Sequence, residues 1–166
     1  MKENISIINK PLVSVVVPNY NYAAYLEQRL DSILDQTYKN LEVILLDDCS
    51  QDNSVAILSE YKNKDRRIKK LIVNTINSGS PFRQWALGLS YAQGKYVWIA
   101  ECDDYADIMF VEHLVAILEN HEDVSLAFSG SLVVDRNDNL LNKDFDKWTC
   151  QQINGTKGYK VLNGLQ

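Results

Sequence analysis

Four short apolar runs alternate with segments of helical period over the first hundred residues, and that alternation admits few folds. Residues 12–17 (Leu12-Val13-Ser14-Val15-Val16-Val17) are apolar and β-branched, the pattern of a strand buried on both faces. After Asn19-Tyr20-Asn21, the residues Tyr22, Leu26, Leu30, Ile33 and Leu34 recur at helical spacing with charges between them. Residues 41–46 repeat the strand pattern, and Asp52-Asn53-Ser54 offers helix capping ahead of Val55, Leu58 and Tyr61. A third strand is predicted at 70–74. A loop at Asn77-Ser78-Gly79-Ser80 follows it, then a helix opened by Pro81 and expected to stop near Gly94. A fourth strand is expected at 95–100 and a helix through Val111, Leu114, Val115 and Leu118. The apolar runs at 124–128 and 131–134 predict two more strands. Strands separated by helices of this length make parallel βαβ units, hence an α/β fold whose mostly parallel sheet is flanked by helices on both faces.

With 166 residues, the length suits one domain, or one domain and part of another. The net charge of −5 argues against nucleic acid as a partner, because phosphate backbones reward clustered Lys and Arg. It leaves room for a small phosphorylated ligand held through a metal ion. Cys49, Cys102 and Cys150 are odd in number and widely spaced, with no zinc-like pairing, and read as reduced thiols. No signal-peptide core follows Met1, and no run approaches the roughly 20 apolar residues of a membrane helix. The expectation is a soluble chain without a transmembrane segment. Beyond about Asn142 the pattern weakens and the chain stops at Gln166 without a closing element, as if a longer protein had been cut.

In an open α/β sheet, ligands bind outside the carboxyl ends of the strands. The first strand ends in Pro18-Asn19-Tyr20-Asn21 and the second in Asp47-Asp48-Cys49-Ser50. The third leads to Asn77-Ser78-Gly79 with Arg83 close behind, and the fourth ends in Glu101-Cys102-Asp103-Asp104. Parallel strands would put all four on one edge, giving an acidic, amide-rich rim. Glu101 and Asp103 are two apart, so in extended backbone they face one point while Cys102 faces inward. Carboxylates this close repel one another unless a cation lies between them, and oxygen ligands with vacant positions suit Mg²⁺ or Mn²⁺. The alternative is a helix start, with Asp103, Asp104 and Asp107 capping the helix that contains Val111. Asp48 could accept a hydrogen bond from a nucleobase N–H, or belong to a turn that starts the next helix. Arg83 could bind a diphosphate or be an exposed helical arginine. His113 and His121 belong to no constellation, and Trp85, Tyr96 and Trp98 read as core.

There is no G-x-G-x-x-G after the first strand, no G-K-[ST] loop and no G-x-S-x-G elbow. What is present resembles the family 2 glycosyltransferases of GT-A fold. The likeness rests on Val13-Ser14-Val15-Val16-Val17-Pro18-Asn19-Tyr20-Asn21, on residues 30–38, and on Glu42-Val43-Ile44-Leu45-Leu46-Asp47-Asp48-Cys49-Ser50-Gln51-Asp52. It continues through Asn77-Ser78-Gly79 and residues 92–97 into Glu101-Cys102-Asp103-Asp104, covering about residues 11–135. The resemblance implies a Rossmann-like GT-A sheet and a nucleotide-diphosphate-sugar donor, usually UDP-linked. It also implies a divalent metal, Mg²⁺ or Mn²⁺, and inverting transfer to a saccharide or lipid-linked acceptor. By position, Pro18, Asn19, Tyr20, Asn21, Asp48, Asn77, Gly79, Arg83, Glu101 and Asp103 would bind the nucleotide sugar, and Asp103 and Asp104 the metal.

The departures are Glu101 where Asp is more usual, and residues 80–85 in place of a more polar segment. The catalytic base belongs to the acceptor half, beyond Gln166; Asp135 and Asp144 come too early in the family's order to fill that role. The expected division is an N-terminal extension (1–10), a nucleotide-sugar-binding domain (11–141) and the start of an acceptor-side region (142–166). The resemblance further implies a cytoplasmic position, peripheral to a membrane in a longer protein. Competing readings are a non-catalytic nucleotide-sugar-binding or assembly module and a receiver-like signalling domain. The latter would want its acidic pair after the first strand.

Overall fold

The computed structural model describes residues 10–135 and 137–142. Most of the expected N-terminal extension and acceptor-side region, with Asp144 and Cys150, lies outside the described residues. The chain divides into two compact units, one reaching Glu112 and the other starting at His113. The first holds β1 (Val13–Asn19), α1 (Ala23–Leu34), β2 (Leu41–Asp47), α2 (Ser54–Lys64), β3 (Ile68–Val73), α3 (Pro81–Leu89) and β4 (Tyr96–Ile99). Helix α4 (Phe110–Asn120) runs across the division, and the second unit carries β5 (Val133–Val134) and β6 (Leu140–Asn142). Among the described residues no helix is long and apolar enough to cross a membrane.

The sheet has the order β3-β2-β1-β4 with every pairing parallel, the α/β architecture expected from the alternation. The two inner strands are buried along their whole lengths, which is why they show no regular alternation of apolar and polar residues. On one face Val16, Ile44 and Leu46 pack with Leu87, Tyr91 and Ala92 from α3 and the turn after it. On the other, Val15, Val17, Val43 and Leu45 are equally buried, and α1 and α2 bury Leu26, Leu30, Ile33 and Leu58. Asp52 serves two helix starts together: one carboxylate oxygen accepts from the Ala23 N–H at 2.9 Å and the other from the Ser54 N–H at 3.0 Å.

Several boundaries differ from the sequence expectation. Strand β3 begins at Ile68, which is fully buried, two residues before the expected start. Helix α3 stops at Leu89, so Gly94 is not its cap. Gly94 instead lets the chain cross β1: a Cβ there would lie 2.6 Å from the Ser14 nitrogen and 2.7 Å from the Leu12 carbonyl oxygen. The crossing is fixed by the buried Ser14–Glu42 pair. Glu42 accepts from the Gln93 N–H at 2.6 Å, and the Ser14 hydroxyl oxygen accepts from the Gly94 N–H at 2.8 Å. Gly94→Ala is therefore expected to cost about 2 kcal/mol by overpacking against backbone. Urea unfolding should show a lower midpoint at unchanged slope.

No strand forms over 124–128, and Leu126 is 76% exposed. Apolar composition alone made that run look like a strand, and among the described residues nothing pairs with it. Of 131–134 only Val133 and Val134 are in a strand, paired antiparallel with β6, which the sequence did not signal. Asp135 organises the turn between them, accepting from the N–H groups of Asn137 and Asn139 at 2.8 and 3.0 Å.

Candidate functional site

The parallel register brings the ends of the strands to one edge. Asn19 lies opposite Asp47, and Asp47 opposite Val73. The buried Asn19 amide donates to Asp47 at 2.7 Å and to the Ser50 hydroxyl at 3.1 Å, leaving its own Oδ1 buried without a partner. Asn21 takes a positive φ of 59°. Its N–H reaches Ser50 Oγ at 2.9 Å and its side-chain oxygen accepts from the Gln51 N–H at 2.7 Å. The loops after β1 and β2 are thus laced into one surface. Pro18 is buried with its carbonyl taken by the Cys102 thiol at 3.0 Å, whereas the Tyr20 ring, 44% exposed, is open to solvent.

Asp48 is the hub of the loop after β3. Its buried carboxylate accepts from Asn74 Nδ2 (2.8 Å), Ser78 N–H (2.9 Å), Ser78 Oγ (2.7 Å) and Gln84 Nε2 (2.7 Å). Its carbonyl accepts from Asn77 Nδ2 at 2.9 Å. Burial pushes this carboxyl upward, but the hydrogen bonds from Ser78 and Asn74 outweigh it, so its pKa lies below the ordinary value. Both carboxylate oxygens are engaged from within the chain. Gly79 follows at φ 69°, its N–H held by Asn77 at 2.7 Å. The exposed Arg83 bends back so that Nη1 donates to the Ser78 carbonyl at 3.1 Å.

At the end of β4 the chain leaves the sheet through residues 101–104. Glu101 is half-buried and accepts from Trp85 Nε1 at 2.6 Å. Burial, with Asp103 and Asp104 adding like charge, lifts its carboxyl above the ordinary value. Cys102 points inward, and burial pushes its thiol up to about 12, which makes it an inert core group. Asp103 and Asp104 are exposed. The stretch beyond them is anchored by the buried Gln36, which donates to the Asp107 carbonyl at 2.6 Å and accepts from the Val111 N–H at 2.9 Å. That buried anchor fixes where the acidic segment can sit.

The four predicted segments therefore do meet at one edge. Residues to which the sequence reading gave no role are Asn74 and Gln84, which with Ser78 of the expected rim loop load Asp48, and Arg29, which is buried in α1. A signal existed for two of them. Leu26, Arg29, Leu30 and Ile33 form the buried stripe of α1, and Gln84 and Gly88 that of α3, so both polar residues sit at core positions. Trp85, read as core, is a hydrogen-bond donor to the acidic segment.

Among the described residues no three His, Cys, Asp or Glu side chains are grouped closely enough to hold a metal unaided. Two exposed neighbouring carboxylates still fit a Mg²⁺ or Mn²⁺ ion that takes its remaining oxygens from a bound diphosphate and water.

Comparison with known proteins bears on the family and the fold. The model of glycosyl transferase family 2 matches residues 14–161. An uncharacterized glycosyltransferase of Haemophilus influenzae is 39% identical over 115 residues, which are 69% of this chain and 45% of that one. Staphylococcus aureus TarS, solved in complex with UDP-GlcNAc, matches with a TM-score of 0.61 at 28% identity, covering 67% of this chain and 32% of that one. A mannosyltransferase from Pyrobaculum calidifontis, solved with GDP-Man and Mn²⁺, matches with a TM-score of 0.61 at 26% identity, over 79% of this chain and 38% of that one. The chain spans less than half the length of each of these three.

Proposed function

This chain belongs to glycosyl transferase family 2, and on that premise we propose that its sheet edge is the donor site of an inverting glycosyltransferase. The donor is a nucleotide-diphosphate sugar, UDP-linked by preference, and the acceptor a saccharide or a lipid-linked saccharide. The observation that carries the reading is the meeting of three things at one edge. These are an exposed aromatic ring at Tyr20, a loop held rigid by Asp48, and the exposed acidic pair Asp103–Asp104.

In this reading the nucleobase lies against Tyr20, with Asn19 and Asn21 shaping the floor of its pocket beside Pro18. Asp48 acts through the loop it holds, since a direct contact to the base would have to displace one of its four internal donors. Asn77, Gly79 and Arg83 face the ribose and diphosphate, where a guanidinium pairs well with phosphate oxygens. Asp103 and Asp104 would hold the divalent cation, with Glu101 oriented by Trp85 beside them. A cation bound there supplies stabilisation for the charge that develops on the departing diphosphate.

The acceptor oxygen forms its bond to the anomeric carbon as the bond to the diphosphate oxygen breaks, and the acceptor's proton passes to a carboxylate base. On this reading the base belongs to the acceptor side, residues 11–141 make the donor-binding domain and 142–166 the start of the acceptor-side region. A cytoplasmic site close to a membrane fits a lipid-linked acceptor.

Base preference separates the reading's parts, because the two structural neighbours were solved with uridine and guanosine nucleotides. Quenching of tryptophan fluorescence by UDP, GDP, CDP and ADP in Mn²⁺ is expected to rank UDP first by at least about tenfold, or about 1.4 kcal/mol. GDP in first place would overturn the uridine assignment and keep the site. No response to any of the four would count against the site itself.

A further inference from the structure

We propose that the outer edge of β3, from the basic band at residues 62–70 to Ile76, docks on an anionic lipid bilayer. Six of the chain's 17 Lys and Arg residues fall within residues 62–70, against one acid, in a protein of net charge −5. Among the described residues β3 is an edge strand, so no further strand covers this side. The side chains gather in space as well. Lys39, Lys64, Arg66 and Arg67 line one open hollow with Asp65, and Lys62, Lys69 and Lys70 line a second with Leu71, Ile72 and Val73. Lys69 and Lys70 are both exposed and, as neighbours in a strand, leave it on opposite faces, so the charge wraps around the edge. Lys70 Nζ stands 4.3 Å from the centre of the Tyr91 ring. Two of the cations are balanced within the chain: Arg67 pairs with Asp65 at 2.7 Å, and Lys64 pairs with Glu60. Among the described residues Lys39, Arg66, Lys69 and Lys70 are in no ion pair.

Local duties account for only part of this charge. Lys62 and Lys64 suit the C-terminal turn of α2, and lysines on an edge strand block pairing between sheets. Neither duty calls for Lys39 or Arg66, and neither accounts for the aliphatic residues at the other end of the same edge. Val73 ends β3 at 44% exposure, and Ile76, three residues on, is 79% exposed. Ile76 is held there, because Asn74 and Asn77 on either side of it both donate to Asp48, at 2.8 and 2.9 Å. Clustered cations beside exposed aliphatic side chains fit a surface of phosphate headgroups over hydrocarbon. A nucleic acid would meet the charge but offer Ile76 no hydrocarbon to enter. A second copy paired along β3 would set Lys69 and Lys70 against their own counterparts. Docked on a bilayer, the loop that carries Asn77 and Gly79 lies at the membrane, where a lipid-linked acceptor would be. That consequence rests on the donor-site reading; the docking itself does not.

Sedimentation of the chain with lipid vesicles tests the docking. In about 0.1 M salt, vesicles of phosphatidylcholine with about 30 mol% phosphatidylglycerol should bind it at least about tenfold more tightly than phosphatidylcholine alone. Lys69→Glu is expected to weaken that binding about tenfold. Lys95→Glu, an equal change of net charge placed just before the opposite edge strand β4, should cost less than about threefold. Ile76→Ser should cost about threefold or more, through the lost aliphatic contact. No preference for the anionic vesicles would overturn the proposal, as would equal costs of Lys69→Glu and Lys95→Glu. An Ile76→Ser protein that binds as tightly as the wild type would also overturn it and point to a polyanion, such as a nucleic acid, as the partner. One arm needs no variant: raising the salt to about 0.5 M should weaken wild-type binding at least about fivefold, and salt-indifferent binding would contradict the docking. Calorimetry with UDP keeps the two readings apart. Lys69→Glu should bind UDP as the wild type does, and a chain that binds vesicles but no nucleoside diphosphate would sink the donor site alone.

Discussion

Replacing both Asp103 and Asp104 by alanine is expected to weaken Mn²⁺-dependent UDP binding about 100-fold, equivalent to about 2.7 kcal/mol. These are exposed carboxylates of the rim, and among the described residues no third ligating side chain stands near enough to take over. A small hard cation that keeps most of its shell as water and phosphate oxygen depends on the one or two carboxylates that fix it. UDP binding measured in EDTA should change by less than about threefold, because the base and ribose contacts lie on other loops. Glu101→Gln should cost less than the double change, since Glu101 already has one oxygen on the Trp85 N–H and is half-buried. Calorimetric titration of each variant with UDP, in Mn²⁺ and in EDTA, makes the comparison. Unchanged Mn²⁺-dependent binding in the double variant would remove the metal assignment.

The largest stability effect is expected at Asp48. Asp48→Ala leaves the Asn74 amide, the Ser78 N–H and hydroxyl and the Gln84 amide without their acceptor, all at a buried point. Hydrogen bonds to a charged group are each worth about 1.5–3 kcal/mol, but the freed donors partly recover water. A net loss of about 3–5 kcal/mol follows, enough to lower the melting temperature by about 10 °C or more. The loop over residues 74–80 should loosen with it, so amide exchange there should accelerate more than in β1 or β2.

The pH dependence has a definite sign. The Asp48 pKa is depressed in the folded chain, so its contribution is fully present above the ordinary carboxylate value near ~3.9 and is lost as pH falls through the lower folded value. The wild type should therefore lose stability on acidification below about pH 4. Asp48→Ala should lose that part of the slope. An alanine variant as stable as the wild type at pH 7 would show that the hub holds nothing.

Much of this could be read in the sequence, for identifiable reasons. Strands β1 and β2 are buried on both faces and so carry mostly apolar runs, interrupted before their polar ends only by the paired Ser14 and Glu42, which fixes their ends to within a residue or two. The convergence of the strand ends needed only the parallel topology. The end of α3 was misplaced because Gly94 reads as a helix stop, whereas its role is to let backbone pass against Ser14. The run at 124–128 shows the opposite failure: apolar residues without a partner do not make a strand.

The polar hubs were the least legible. Asp48 looks like any loop aspartate until Ser78 and Gln84, thirty and thirty-six residues away, are brought onto it. Arg29 looks like an ordinary charge on a helix unless its place in the 26–29–30–33 stripe is noticed. Both depend on contacts between distant segments, which periodicity does not encode.

The central claim is that the sheet edge forms a metal-assisted site for a nucleoside diphosphate. The most direct measurement is a calorimetric titration of the wild-type chain with UDP, once in Mn²⁺ and once in EDTA. One UDP bound per chain in Mn²⁺, weakened at least about tenfold by EDTA, is the result this account expects. Absence of binding by UDP and by every other nucleoside diphosphate, or UDP binding that is indifferent to both EDTA and the loss of Asp103 and Asp104, would contradict it.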